Sequence, residues 1–495
     1  MKKTSSKNRS DKATIKDFTD AVENISQQVK KDKKIVSDIV DSNGNQYVDL
    51  VQEGGGMLGI ALLGYTYILE QAGIRFRRLA GTSAGAINTA LLTVIGKSKS
   101  DEKSIISLKY LTDKELFDFV DGYWFAKRFI GAFIKRKDFF KKVISWAKRI
   151  FIILGVLILL NVAAVWFIHE PDGIRINKIL SVITISYILI VAAIVFYIVY
   201  LIHRFKRSQY GINPGNNFLN WIKGIMEENG VHSIDDLIHK ASELPPDLQL
   251  CEERKKKNDA TLDGLTSDVT FIASEIISEN KVEFPRMWNL FQTDKTKIHP
   301  AEFVRASMSI PVFFEPHTIA GYTSVRSNLK KQWEDELGAE KAPDKILFVD
   351  GGILSNFPIS IFYNKNVDIP RLPTIGVRLY EKDPKKEAKE KATEQNTEDN
   401  DLQKPLNFGS YARNIFNTTR FHYDKDFLMK NKMYNRGVHH INVYGFNWLN
   451  FNMGKEDRIA LFVKGAEAAR DFLFDFNWEA YKQDREQGHK ILENK

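Results

Sequence analysis

The chain has 495 residues, 43% apolar and 27% charged, enough to bury a large core and, by length, to form two to four domains. Its formal net charge of +9 favours an anionic partner, either nucleic acid or an anionic lipid surface. Its one cysteine, Cys251, excludes an intrachain disulfide and suggests a reducing compartment; nothing around it supplies an activating base.

The basic opening Met1–Ser6 is followed by no apolar segment, so it does not read as a secretory signal. Residues 1–45 are polar and read as a loosely packed helical arm, with Ile25, Val29, Ile35 and Ile39 as a thin apolar stripe. Tyr47–Gln52 reads as a strand, then Glu53 and the run Gly54-Gly55-Gly56-Met57-Leu58-Gly59. Met57–Ala72 is apolar at helical spacing, and Arg77–Ala80 is a short strand. That strand feeds Gly81-Thr82-Ser83-Ala84-Gly85, which leaves through a helix-forming run, Ala84–Ile95. The order strand, loop, helix, strand, sharp turn, helix is the opening of a parallel α/β sheet.

Gly-x-Ser-x-Gly between a strand and a helix lifts the serine oxygen clear of the backbone, with Gly81 and Gly85 removing side chains that would collide in the turn. The first amides of the following helix, Ala84 among them, face whatever the serine attacks, and the positive helix end favours negative charge there. Ser83 is therefore the candidate nucleophile. The earlier glycine run also satisfies Gly-x-Gly-x-x-Gly. A dinucleotide site, however, wants an acid at the end of the next strand, and that strand runs into Gly81-Thr82-Ser83. The better reading is an oxyanion hole built from the exposed amides of Gly54, Gly55 and Gly56.

From 97 to 149 the chain turns amphipathic and then basic, with Lys135, Arg136, Lys137, Lys141, Lys142, Lys148 and Arg149 leading into two apolar runs. Ile150–Ile168 and Ile179–Ile202 carry no charge, and each is about the ~20 residues that cross a bilayer core. The connector His169–Lys178 has two acids and two bases, whereas Arg204, Lys206 and Arg207 make the far flank basic. The charge bias places both flanks in the cytoplasm and the connector outside. Asn161 is expected to face the partner helix rather than lipid. Such a hairpin returns the chain to the side it left, so the segments before and after it can share one site.

Asn217–Asn229 is an amphipathic helix and Glu252–Asp259 a solvated loop; Val269–Ala273 is a strand and Glu302–Met308 a helix. Ile346–Val349 is an apolar strand delivering Asp350-Gly351-Gly352, and Thr374–Leu379 is another strand. Lys382–Lys404 is mixed in charge and reads as a disordered surface loop; a strand near Ile441–Tyr444 and a helix Glu456–Phe474 close the fold. There is no repeat and no zinc-type Cys/His spacing. Asp350, at the carboxyl end of a strand, stands where open α/β sheets place ligands and could accept the serine proton; a plain Asp-Gly turn is the alternative. The order Ser83, Asp350, then His422, His439 or His440 would also fit a triad.

Gly54-Gly55-Gly56-Met57-Leu58-Gly59, Gly81-Thr82-Ser83-Ala84-Gly85 and Asp350-Gly351-Gly352, in that order, resemble the three hallmark blocks of the patatin-like phospholipases. Ala306–Pro316 and Gly352–Pro358 are similar to two further stretches of that family, and the resemblance spans about residues 46–480 apart from the hairpin. It implies a three-layer α/β/α sandwich with a central, mostly parallel sheet. It also implies a Ser83–Asp350 dyad without histidine, with oxyanion amides from Gly54, Gly55, Gly56 and Ala84. Gly59, Gly81, Gly85, Gly351 and Gly352 would support these motifs. The implied reaction is acyl-ester hydrolysis on phospholipid or another acyl lipid, without metal or cofactor. Leu58 stands where the family commonly has Arg or Lys, and the inserted hairpin is not part of the usual domain.

The expected organisation is thus an arm (1–45), a catalytic domain in two parts (46–134 and 210–480), a membrane hairpin with basic flanks (135–209) and a polar tail (481–495). The bilayer is the expected partner; no motif supports nucleic acid, and the sequence carries no sign of oligomeric state.

Overall fold

Burial on both faces makes β2 (Gln46–Gln52) a central strand: each of its residues is buried, the pattern of a parallel sheet covered on two sides. The computed structural model describes residues 13–122, 139–167, 172–257, 261–326, 328–364, 366–367, 369–383 and 408–493. It divides into two compact units, Met1–Asp121 with Gly215–Lys495, and Gly122–Pro214.

The first unit is built on one sheet whose other strands are β1 (Ile39–Val40), β3 (Ile74–Thr82), β4 (Gln249–Leu250), β5 (Val269–Glu275), β6 (Asn280–Phe284), β7 (Phe348–Asp350), β8 (Thr374–Tyr380) and β9 (Val438–Asn442). The run β9-β8-β2-β3-β5 is parallel. Around it β1, β4, β6 and β7 pair antiparallel, so the sheet is mixed rather than parallel throughout. Helix Gly59–Gln71 packs on helix Lys455–Asp475, where Gly64 meets the backbone of Phe462 and Gly465 that of Ala61. A side chain at either glycine would push these helices apart.

The meeting of β3 and β7 positions the site. One edge of β5 is filled by β6, which pairs with Phe271–Glu275. The other edge is shared: β3 pairs with Val269–Ile272, ending at Thr82↔Ile272, and β7 arrives from the opposite direction to pair with Ala273–Glu275, ending at Ala273↔Asp350. The two strands therefore meet head-on at consecutive residues of β5, with Ser83 leaving one end and Asp350 closing the other. Asp350 does close a buried strand, as its sequence suggests, and that strand, β7, runs antiparallel to β5.

Two other segments differ from expectation. The N-terminal residues form two short helices, Ile15–Ala21 and Glu23–Lys31, that pack closely: Phe18, Val22 and Val29 are buried, and Phe18 meets Phe462 edge-on at 5.3 Å. Glu252–Lys257 is helical rather than a loop. Most of the expected loop Lys382–Lys404 lies outside the described residues, as do Lys135, Arg136, Lys137, His169 and Glu170.

The second unit contains two long helices, Phe139–Phe167 and Asp172–Arg207. Their windows Ser145–Ala163 and Lys178–Arg207 have mean hydropathies of 1.9 and 2.8, long and apolar enough to cross a membrane. Asn161 faces the second helix as expected: its Nδ2 donates to Thr184 Oγ1 at 2.6 Å and its Oδ1 accepts from Ser181 Oγ at 3.1 Å.

Candidate active site

Ser83 is the one residue between β3 and helix Ala84–Val94, and its backbone has φ 53° and ψ −119°. A non-glycine residue is held there only when its surroundings fix it. They do so on both sides. Gly81 lies against the backbone of Gly85, and a Cβ on Gly81 would fall 2.8 Å from the Ala86 nitrogen. Gly85 in turn lies on β2, where a Cβ would meet the Glu53 carbonyl oxygen at 2.9 Å. The Ser83 amide donates to Ser307 Oγ at 2.9 Å, and its carbonyl accepts from Ile87 at 3.1 Å, starting the helix.

The glycine loop runs beside the serine: a Cβ on Gly54 would stand 3.0 Å from Ser83 Cβ, and one on Gly59 2.8 Å from Ala84 Cβ. Gly54 departs from its expected role. Its amide donates to the Asn356 carbonyl at 3.0 Å, so it is spent on holding the loop. The amides of Gly55, Gly56 and Ala84 have no acceptor among the described residues. Gly56, at φ +54°, passes so close to the Trp448 carbonyl that a Cβ would sit 2.5 Å from its oxygen.

Asp350 is buried; its amide donates to the Ser309 carbonyl and its Oδ1 accepts from the Gly352 amide, both at 2.8 Å. Burial pushes its carboxyl above the ordinary value, opposed by the neighbouring Ser83 hydroxyl, the Arg420 guanidinium and the Gly352 amide. Gly351 packs on the Ile272 backbone, where a Cβ would also stand 3.0 Å from Thr82 Cγ2; at Gly352 it would stand 3.0 Å from Asp350 Oδ1.

Around this pair lies a polar frame that sequence reasoning missed. Asn356 Nδ2 donates to Glu53 Oε1 at 3.0 Å and to the Gly54 carbonyl at 3.2 Å, while its Oδ1 accepts from Arg420 Nη2 at 2.5 Å. Glu53 Oε2 accepts from the Leu379 amide at 2.6 Å. Burial raises the Glu53 carboxyl, and Arg378, the Leu379 amide, Asn356 and Arg420 pull it back. One turn along the helix from Arg420, Asp424 accepts from Ser355 Oγ and the Phe357 amide, both at 2.8 Å, and burial raises it to about 6. Asn356 sits in a block already singled out, but nothing local marks Arg420 or Asp424.

An apolar cleft of about 680 Å³, counting its part open to solvent, reaches Ser83 and Ala84. Ile60, Leu91, Leu111, Leu116, Phe218 and Trp221 are among its walls. None of His422, His439 and His440 lines it; His439 instead stacks on Tyr65 at 6.2 Å, and burial lowers His440 to about 4. Among the described residues no group of three or more His, Cys, Asp or Glu could hold a metal ion.

The chain is 24% identical over 345 residues to the uncharacterized protein YqhO of Bacillus subtilis strain 168, covering 69% of this chain and 75% of that one. Among solved structures, that of VipD from Legionella pneumophila aligns over 92% of this chain and 73% of its own, with 14% identity and a TM-score of 0.36. The family model of the patatin-like phospholipases matches residues 50–363. That interval holds the glycine loop, the Ser83 turn and Asp350, and by this match the chain belongs to the patatin-like phospholipase family.

Proposed function

We propose that the protein is a membrane-anchored serine acyl hydrolase of the phospholipase A type, cleaving fatty-acyl esters of lipids through Ser83 and Asp350. Asp350 accepts the Ser83 proton as the serine oxygen bonds to the acyl carbonyl carbon, and the carbonyl electron pair moves onto its oxygen. The amides of Gly55, Gly56 and Ala84 receive that charge. Collapse breaks the ester C–O bond, and the proton on Asp350 passes to the departing lysolipid or alcohol. Water then attacks the acyl-serine, giving a proton to Asp350; the fatty acid leaves and Ser83 recovers its proton. The observation that carries this reading is the head-on meeting of β3 and β7 on one edge of β5. The apolar cleft beside Ser83 suits a fatty-acyl chain, and the surrounding architecture reads as the three-layer α/β/α sandwich of the family.

The two long helices serve as the anchor, with both basic flanks and the catalytic unit on the cytoplasmic side. Phospholipid monomers are scarce in water, so an enzyme held at the bilayer stays beside its substrate, and the basic flanks add attraction to anionic headgroups.

A fluorophosphonate probe should label the wild type and fail to label Ser83→Ala. Lipid product analysis should then show free fatty acid even with alcohol acceptors added. Absence of labelling would mean a binding or scaffolding protein on a hydrolase fold, and acylated acceptor in place of fatty acid would mean an acyltransferase.

Arg420 offers a test through pH. Its charge favours the ionised, base-competent form of Asp350. Arg420→Met should move the acidic limb of the kcat/KM profile to higher pH, with activity recovering as pH rises. Superimposable profiles would show that Arg420 only packs there.

A further inference from the structure

At the opposite rim of the sheet a second cavity, of about 650 Å³ counting its part open to solvent, opens among Asp49, Arg77, Arg78, Phe362, Arg371 and Arg485. It belongs wholly to the first unit. Arg78 precedes Ser83 by five residues of extended strand, which separates the two sites by about 16 Å. Among the described residues, four guanidiniums thus border this cavity against one carboxylate.

That carboxylate is already shared. Asp49 Oδ2 accepts from Arg77 Nη2 and Arg78 Nη2, each at 2.6 Å, and Oδ1 accepts from Arg77 Nε at 2.8 Å. Arg371 Nη1 donates to the carbonyls of Thr261 and Asp263, the latter at 3.0 Å. Arg485 lies 4.2 Å over the Tyr434 ring and donates to the Tyr481 hydroxyl at 3.4 Å. Among the described residues neither Arg371 nor Arg485 meets a carboxylate within ion-pair distance. Other charges stand behind the lining: Asp268 and Asp263 attract these arginines, while Arg254 and Lys99 repel them, and burial lowers Lys99 to about 7. Burial, with repulsion from Arg77 and Arg254, lowers the Arg371 guanidinium from its ordinary value.

Cations crowded around a concave space with fewer counter-ions than charges repel one another, and an anion placed among them relieves that repulsion. Guanidinium forks match the oxygen spacing of a phosphoryl group, and the surplus of guanidiniums over carboxylates among the described lining residues favours a doubly charged ligand over a single carboxylate. We propose that this cavity is a binding site for a phosphoryl dianion, carried by inorganic phosphate, a soluble phosphomonoester or the headgroup of a phosphomonoester lipid. It is separate from the Ser83 cleft and does not depend on that site's chemistry.

The test titrates the full-length protein in detergent with inorganic phosphate and with glycerol 3-phosphate, at ionic strength held constant with chloride, reading heat of binding and melting temperature. A ligand that binds only the folded state raises the melting temperature with concentration. Wild type and Ser83→Ala should bind alike, whereas Arg371→Met and Arg485→Met should each weaken binding about tenfold or more, the usual worth of a charge-assisted hydrogen bond. Two independent variants guard against one that fails to fold, and unchanged chromatographic elution checks each. A parallel arm measures binding to phosphatidic acid vesicles against neutral phosphatidylcholine vesicles. Binding of the soluble esters assigns the site to free phosphates, and vesicle binding alone, lost in both arginine variants, assigns it to a lipid headgroup. No binding in either arm, or equal binding by wild type and both arginine variants, would overturn the proposal.

Discussion

Asp350→Asn protein should turn over acyl esters about 10²- to 10⁴-fold more slowly than wild type, the usual worth of a general base, and should melt at a higher temperature. The two effects share one cause. Burial holds the Asp350 carboxyl above its ordinary 3.8 in the folded state. For an acid shifted this way, the stabilisation is complete below the unfolded value and is lost as pH rises through the folded value. At neutral pH the wild type therefore carries a buried anion at a cost, which the neutral amide removes. The substitution is nearly isosteric: the amide oxygen can still accept from the Gly352 amide, 2.8 Å from Asp350 Oδ1, and its NH₂ can donate to Ser83. Ser83→Ala should lose at least as much activity, and the double variant should be little slower than either single one, because nucleophile and base act as a unit. Steady-state kinetics on a soluble short-chain ester and thermal melts measure all three. Near-normal turnover by either single variant would reject the dyad. Lost turnover with a lowered melting temperature in Asp350→Asn would make the loss a folding defect.

The parts of this site that were legible in sequence are those whose cause is local. Ser83 announces itself because a strand-to-helix turn of that sharpness needs glycines on both sides, and Gly81 and Gly85 are only four residues apart in sequence as well as in contact in space. Asp350 could be nominated from its neighbours, but its route to Ser83 could not. The antiparallel arrival of β7 on the β5 edge that β3 vacates is a pairing across nearly 80 residues, and no local pattern encodes its direction. Gly54 shows the same limit from the other side. Its amide looked available until Asn356, 302 residues later, brought a carbonyl to it. Arg420 lies on a helix without a motif and matters through Asn356, Asp350 and Glu53, all distant in sequence. The N-terminal stripe looked thin because Phe18 finds its partner, Phe462, at the far end of the chain.

With the two long helices intact, the protein should remain with membranes through alkaline carbonate extraction; replacing Ser145–Arg207 with a short Gly/Ser linker should move it to the supernatant. Phe139–Phe167 has 29 residues and Asp172–Arg207 has 36, about 43 and 54 Å of helix at 1.5 Å per residue, against a hydrocarbon core of about 30 Å. Their side chains have little else to cover them: Phe151 is 72% exposed, Trp166 77% and Phe196 76%. Each Leu, Ile, Phe or Val near the centre of a span gains about 0.3 to 0.6 kcal/mol on insertion, so two such spans should give all-or-none partition. Several polar groups bond between the helices, Asn161 with Ser181 and Thr184, and Tyr187 donating to the Ile150 carbonyl at 2.8 Å. The basic last turn, Arg204, Lys206 and Arg207, predicts which side the catalytic unit occupies. Because Cys251 is the one cysteine, Cys251→Ser combined with Gly173→Cys gives a single thiol in the connector. A membrane-impermeant maleimide should label that thiol in intact cells and leave wild-type Cys251 unlabelled until the cells are opened. Recovery of the intact protein in the soluble fraction would remove the anchor, and labelling of Cys251 in intact cells would reverse the orientation.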